Sequence, residues 1–311
     1  MVAFYPSVNG NMEDGKIEQD AETFIAGRIE ENESAAQQKK DNSGNSKTEN
    51  SRPDKLEDAN QDLLDFMNYY NKTIYENGQK DMVDPYSFTE KIVDLSDYGI
   101  ENECIGTVYV PAMDIELPIY VGATSRNLLK GASYVSQTSF PIGGKNTNSV
   151  ICGHRGYNGS KYFRDIEKMQ VGDHVYINNL WQTLVYQVTE IKLVNPNAVE
   201  EIKIQEGKDM VTLMTCHPYI GHKYRYVIYC ERTGEIPYTE ESRKKMENEA
   251  TQLQERENAE PGVVNQTAEE FKSSNEQIFW DKYAPIIAVF ALFALYLLIK
   301  IIQIIRWKMK K

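Results

Sequence analysis

The sequence predicts a mainly β chain: a closed β-barrel with short helices, preceded by a helical extension and followed by a transmembrane helix. Three observations carry that prediction. Between residues 81 and 233, short β-rich runs recur with Pro, Gly, Asn and Asp turns between them and few helical stretches. Closing such a set of strands into a barrel leaves no open edge. Residues 1–80 have helix-forming composition around a polar stretch, and residues 284–305 are almost uninterruptedly apolar. The 311 residues allow one or two domains, and the polar ends leave one compact domain.

Taken in order, Met1 to Gly10 has no apolar core of the kind a signal peptide needs. Glu18 to Lys39 reads as helix, and Lys40 to Pro53, poor in apolar residues, as a disordered linker. Leu56, Leu63, Leu64, Met67 and Ile74 recur at helical spacing, so Leu56 to Asn77 is a second helix with a face to dock. Pro85 makes Asp81 to Phe88 an extended or turn segment. Strands are expected at Ile105–Val110, Ile115–Val121, Asn148–His154, Asp173–Ile177, Thr183–Leu193, Val211–Cys216 and Tyr224–Glu231. Thr124–Lys130 reads as a helical turn, and Tyr162–Met169 as a short amphipathic helix. Residues 234–283 are a polar helix and tether broken at Pro261-Gly262.

Residues 284–305 are long enough, at about 1.5 Å per residue, to cross a hydrocarbon core of roughly 30 Å. Trp280, Tyr283 and Trp307 flank the run as interfacial belts, and the basic residues from Arg306 to Lys311 predict a cytoplasmic tail. Residues 81–233 are then expected outside the cell membrane, with the lipid bilayer as a partner. Nothing in residues 1–77 directs that translocation, so a further membrane segment is expected upstream of Met1. A net charge of −12 argues against nucleic acid as a partner, since binding phosphates requires a basic face.

Chemistry concentrates in Val211 to Glu231, where two β-rich runs flank a Pro/Gly loop. If they pair as a hairpin, Cys216 at the end of one meets Arg225 at the start of the next. A guanidinium beside a thiol favours the thiolate and can hold an oxyanion. The nucleophile needs a base, and the histidines are His154, His174, His217 and His222. His154 ranks first because it ends an apolar strand at a Gly-rich loop, where a scaffold hands a side chain to a cleft. His217 is expected on the opposite face from Cys216. Cys104, Cys152 and Cys230 read as small buried residues. Cys152-x-His154 with Cys216-His217 has no spacing that supports zinc.

Thr212-Leu-Met-Thr-Cys216 with Arg225 nine residues on, preceded by Ser149-Val-Ile-Cys-Gly-His154-Arg, resembles the sortase signature. Ile105-Gly-Thr-Val-Tyr-Val-Pro, Leu117-Pro-Ile-Tyr, Ser139-Phe-Pro-Ile-Gly-Gly and Val171-Gly-Asp follow in sortase order, so the likeness runs from about Asp81 to Glu231. Asp84-Pro85-Tyr86, Thr215-Cys-His-Pro-Tyr219 and the C-terminal anchor are most similar to class C, the pilin-polymerising group; His217 and Ile220 depart from its usual pattern.

The resemblance implies a membrane-anchored cysteine transpeptidase that needs no cofactor or metal. Cys216 would cleave a C-terminal sorting motif of a secreted pilin or surface protein, with His154 as acid–base and Arg225 on the substrate carbonyl. The acceptor would be a lysine amine of another pilin. Asp84, Pro85 and Tyr86 would form a lid, with Asp84 on Arg225 and the Tyr86 ring over the sulfur. The alternatives are a wall-anchoring sortase, a hydrolytic cysteine peptidase and an idle surface adhesin domain.

Overall fold

The computed structural model describes residues 16–17, 19–27, 53–80, 82, 84, 92–100, 103–157, 159–218, 223–237, 239–254, 287 and 300. Eight strands close into a barrel: β1 (Cys104–Val110), β2 (Ile115–Val121), β3 (Ala132–Tyr134), β4 (Thr147–Cys152), β5 (His174–Asn179), β6 (Thr183–Val194), β7 (Asp209–His217) and β8 (Tyr224–Ile236). Their order around the barrel is β1-β2-β3-β4-β7-β8-β6-β5. The sortase-like barrel expected from the sequence is therefore present; seven strands fall where the β-rich runs are, and β3 is not among those expected. β8 runs on to Ile236, three residues past the expected boundary of the barrel at 233.

Two pairings are parallel, β2 with β3 and β4 with β7. Alternation of side chains divides the β4–β7–β8 wall into two apolar faces. Ile151, Val211, Leu213, Tyr226 and Ile228 point into the main core, with Val108, Ile177 and Leu184 from the far side. Val150, Cys152, Met210, Met214, Val227 and Tyr229 form a second cluster on the opposite face, covered by Met82, Ala123, Leu128 and Ile202.

The expected second helix spans Pro53–Glu76. Leu63 and Met67 enter the main core, and Tyr70 packs edge-on to Phe140 at 5.2 Å. Asn71 holds the backbone of Phe140 at both polar groups, accepting its N–H at 2.7 Å and donating to its carbonyl at 3.3 Å. Just beyond the helix, Gln79 donates to the Gln137 carbonyl and accepts from the Ile204 N–H, each at 2.8 Å. The chain is thus pinned to the barrel where it leaves the helix. Of the first expected helix, 18–39, the described residues from 19 to 27 are helical, and residues 28–39 lie outside the described residues.

The helix expected over Tyr162–Met169 is not formed. Only Ile166–Lys168 makes a 3-10 turn. Tyr162 takes a positive φ of 41°, which an α-helix does not tolerate, and successive i→i−3 bonds carry the chain round it. Burial of the Tyr162 and Phe163 rings outweighs the helical periodicity. The polar helix after the barrel spans Glu240–Gln254. Gln266–Lys311 form a separate unit, of which only Ile287 and Lys300 are described. The rest of the expected span 284–305 and the tail 306–311 lie outside the described residues. No helix among the described residues is long and apolar enough to cross a membrane.

Candidate active site

The register of β7 and β8 sets Cys216 directly opposite Arg225. Opposed residues in an antiparallel pair share a face, so both project on the side of the second cluster. The Nη1 of Arg225 donates to the Cys216 Sγ at 3.7 Å and to the Tyr224 carbonyl at 3.3 Å. The Asp84 carboxylate takes the other edge of the guanidinium through Nε at 3.2 Å and Nη2 at 2.6 Å. Both side chains are largely shielded, 9 % exposed for Arg225 and 14 % for Asp84. A bidentate pair so placed is held more firmly than a surface ion pair. Two residues upstream, Met82 is seated in the second cluster. Pro85 and Tyr86, the other two expected lid residues, lie outside the described residues.

β4 runs parallel to β7, with Cys152 level with Met214. Gly153 N–H donates to the Met214 carbonyl at 3.2 Å, and Thr215 Oγ1 donates to the Gly153 carbonyl at 2.8 Å. Carrying that register on sets His154 level with Cys216, on the same face, and Arg155 level with His217 on the other. A Cβ at Gly153 would meet the Phe163 ring at 3.3 Å, so glycine lets that ring close under the loop. The His154 carbonyl accepts from the Phe163 N–H at 2.9 Å. The imidazole stacks on Tyr157 at 5.2 Å and meets the edge of Tyr162 at 5.8 Å. Backbone and ring are thereby both oriented.

The opposite face carries His217, as expected, together with Arg155 and Glu167, to which the sequence assigned no role. Arg155 Nη1 lies 2.5 Å from His217 Nδ1, and Arg155 Nη2 pairs with Glu167 Oε1 at 2.6 Å. Burial and the Arg155 charge hold the His217 pKa below its usual value, against the opposing pull of Glu167. The signal was available in part, because residues following Cys216 and His154 must share the reverse face once both strands are granted. Glu167 was hidden by the wrong helix.

His174 sits on β5, separated from β7 by β8 and β6, and His222 lies outside the described residues. His217 turns away from the face of Cys152 and Cys216, so those Cys-His pairs do not converge. All four cysteines are thiols, and Cys104, Cys152 and Cys230 are buried while Cys216 is half-buried. Burial pushes the Cys104 thiol up to about 12 and also raises Cys152 and Cys230. Cys216 alone combines access with a cation beside its sulfur.

The sortase domain profile matches residues 108–233. Sortase A of Listeria monocytogenes is 30 % identical over 187 residues, which cover 58 % of this chain and 80 % of that protein. The chain belongs to the sortase family. It is a cysteine transpeptidase, as the sortase relatives are. Among solved structures, Streptococcus pneumoniae sortase C matches this sortase with a TM-score of 0.52 at 34 % identity, covering 60 % of this chain and 93 % of that one. Streptococcus agalactiae sortase C1 matches with a TM-score of 0.54 at 31 % identity and the same coverage.

Proposed function

We propose that this sortase is a class C, pilin-polymerising enzyme in which Cys216 is the nucleophile, His154 the acid–base and Arg225 the oxyanion and carbonyl holder. The observation that carries the reading is the Arg225 guanidinium shared between the Cys216 sulfur and Asp84. The Cys216 thiolate adds to the carbonyl that follows the threonine of a sorting motif. Arg225 holds the developing oxyanion by N–H donation. Collapse breaks the peptide C–N bond, and His154 gives its proton to the departing amine. The resulting thioester retains the acyl group in the cleft, dividing one hard exchange into two easier steps. A neutral lysine amine of another pilin then adds to the thioester and loses its proton to His154. The thiolate leaves and an isopeptide bond remains. The class reading is supported by the likeness to the two streptococcal sortase C structures, the first of them described as informing on catalysis and pilin substrate specificity. The proposed setting is the outer face of the cell membrane, with residues 284–305 as the anchor.

Incubation with a sorting-motif peptide tests this directly. A thioester on Cys216, followed by an isopeptide product only when a pilin lysine is supplied, is the expected result. Release of free acid at the same rate with and without pilin would make the enzyme a hydrolytic peptidase. Transfer only to a wall peptide would make it an anchoring sortase.

The segment 81–88 acts in this reading as a lid. Asp84 holds Nε and Nη2 of Arg225 beside the edge that faces the Cys216 sulfur, and in this reading a substrate that needs the whole guanidinium displaces it. Asp84→Ala combined with Tyr86→Ala is expected to raise the alkylation rate of Cys216 by a small thiol reagent about tenfold, the equivalent of about 1.4 kcal/mol of closure. Thermal stability should fall only slightly. Unchanged labelling would mean that 81–88 is an ordinary loop.

A further inference from the structure

Arg155, Glu167 and His217 belong to three separate pieces of chain: the loop after β4, the 3-10 turn at Ile166–Lys168, and the last residue of β7. Arg155 is 7 % exposed, which is costly for a guanidinium unless its donors are met. Here they are met by His217 Nδ1 at 2.5 Å and by Glu167 Oε1 at 2.6 Å, and the same Oε1 lies 3.3 Å from Nδ1. The guanidinium carbon also stands 5.8 Å from the centroid of the Tyr226 ring, and the His217 ring lies 5.7 Å from that ring. Arg155 is always a donor, so Nδ1 accepts and a neutral His217 carries its proton on Nε2. The lowered His217 pKa agrees with that state.

The position of this cluster gives it meaning. The β4–β7 ladder ends with Cys152 level with Met214. Beyond that point the chain must still hold His154 against Cys216. Arg155 is the residue after one, and His217 the residue after the other. A bond between the following pair, on the reverse face, fixes the spacing and the relative twist of the preceding pair. We propose that Arg155, Glu167 and His217 form a positioning clamp that keeps His154 and Cys216 in productive register for acyl transfer. Glu167 steadies the clamp from the turn, and Tyr226 supplies its floor. Arg155 and His217 project from the face opposite His154 and Cys216, and Glu167 meets them there. The clamp rests on Cys216 and His154 being the reacting pair.

Positioning errors of about 1 Å can cost on the order of 10²-fold in rate. The test measures acyl-enzyme formation by a sorting-motif peptide, using the full chain in detergent. Relative to the parent enzyme, His217→Val should lower kcat by about 10- to 100-fold and leave KM within about twofold. Alkylation of Cys216 by iodoacetamide, which needs no His154, should be unaltered. His217→Asn places an amide oxygen where Nδ1 accepts, and should recover kcat to within about threefold of the parent. Arg155→Gln added to His217→Val should cost less than Arg155→Gln does alone, because the Arg155–His217 bond is already lost and only the Glu167 pair and the Tyr226 contact remain to be removed. The proposal is overturned if His217→Val retains full kcat, if His217→Asn is as slow as His217→Val, or if His217→Val loses its fold by circular dichroism. A Cys216→Ala protein that still forms product would instead bring down the assignment of the nucleophile, which separates the two failures.

Discussion

Cys216→Ala is expected to abolish acyl transfer, and His154→Ala to lower it by on the order of 10⁴-fold. In Cys216→Ala no other cysteine can take over the acyl group, since the remaining thiols are buried and their pKa values raised by that burial. Without His154 the departing amine must leave unprotonated, which is the slower of the two routes from the tetrahedral adduct. The double variant should be hardly worse than Cys216→Ala, because members of one mechanism are not additive. The measurement is single-turnover thioester formation followed by mass spectrometry. Full activity in His154→Ala would move the acid–base role to another group.

The second large effect concerns Arg225. Arg225→Lys should lower kcat by about 10²–10³-fold, the loss typical of removing an oxyanion donor. Lysine keeps the charge, but a compact ammonium cannot face Cys216 with one nitrogen and Asp84 with two others at once. The same change should loosen Asp84, so alkylation of Cys216 should speed up while peptide turnover slows. Opposite movement of two rates measured on one protein distinguishes loss of a catalytic donor from general damage, which would slow both. Turnover within about twofold of the parent would remove Arg225 from the mechanism.

Much of the site was legible in the sequence because strand alternation and pairing are local rules. Two β-rich runs around a Pro/Gly loop sufficed to oppose Cys216 and Arg225, and a strand end sufficed to favour His154. The Asp84 contact rested on resemblance and is made in the structure. What the sequence hid depended on non-local geometry. β3, three residues buried on every side, carries no alternation to betray it. The parallel course of β4 beside β7 joins residues about sixty positions apart, and only that register brings Arg155 to His217. The helix expected over Tyr162–Met169 failed because two buried rings needed a backbone turn that periodicity does not encode. That failure also concealed Glu167, whose place depends on the turn.

The pinning of Gln79 to Gln137 and Ile204 has a consequence for how the cleft is emptied and refilled. Asp84 lies five residues past that anchor, and a fully extended chain advances by about 3.5 Å per residue, so the carboxylate is leashed within about 17 Å of a fixed point. It can leave Arg225 but cannot leave the neighbourhood. A short tether of this kind keeps its end group at an effective concentration of roughly millimolar. A sorting peptide therefore competes for the guanidinium against a carboxylate that never dilutes away. If the lid proposal holds, a peptide that engages only the guanidinium is expected to lose to that standing competitor.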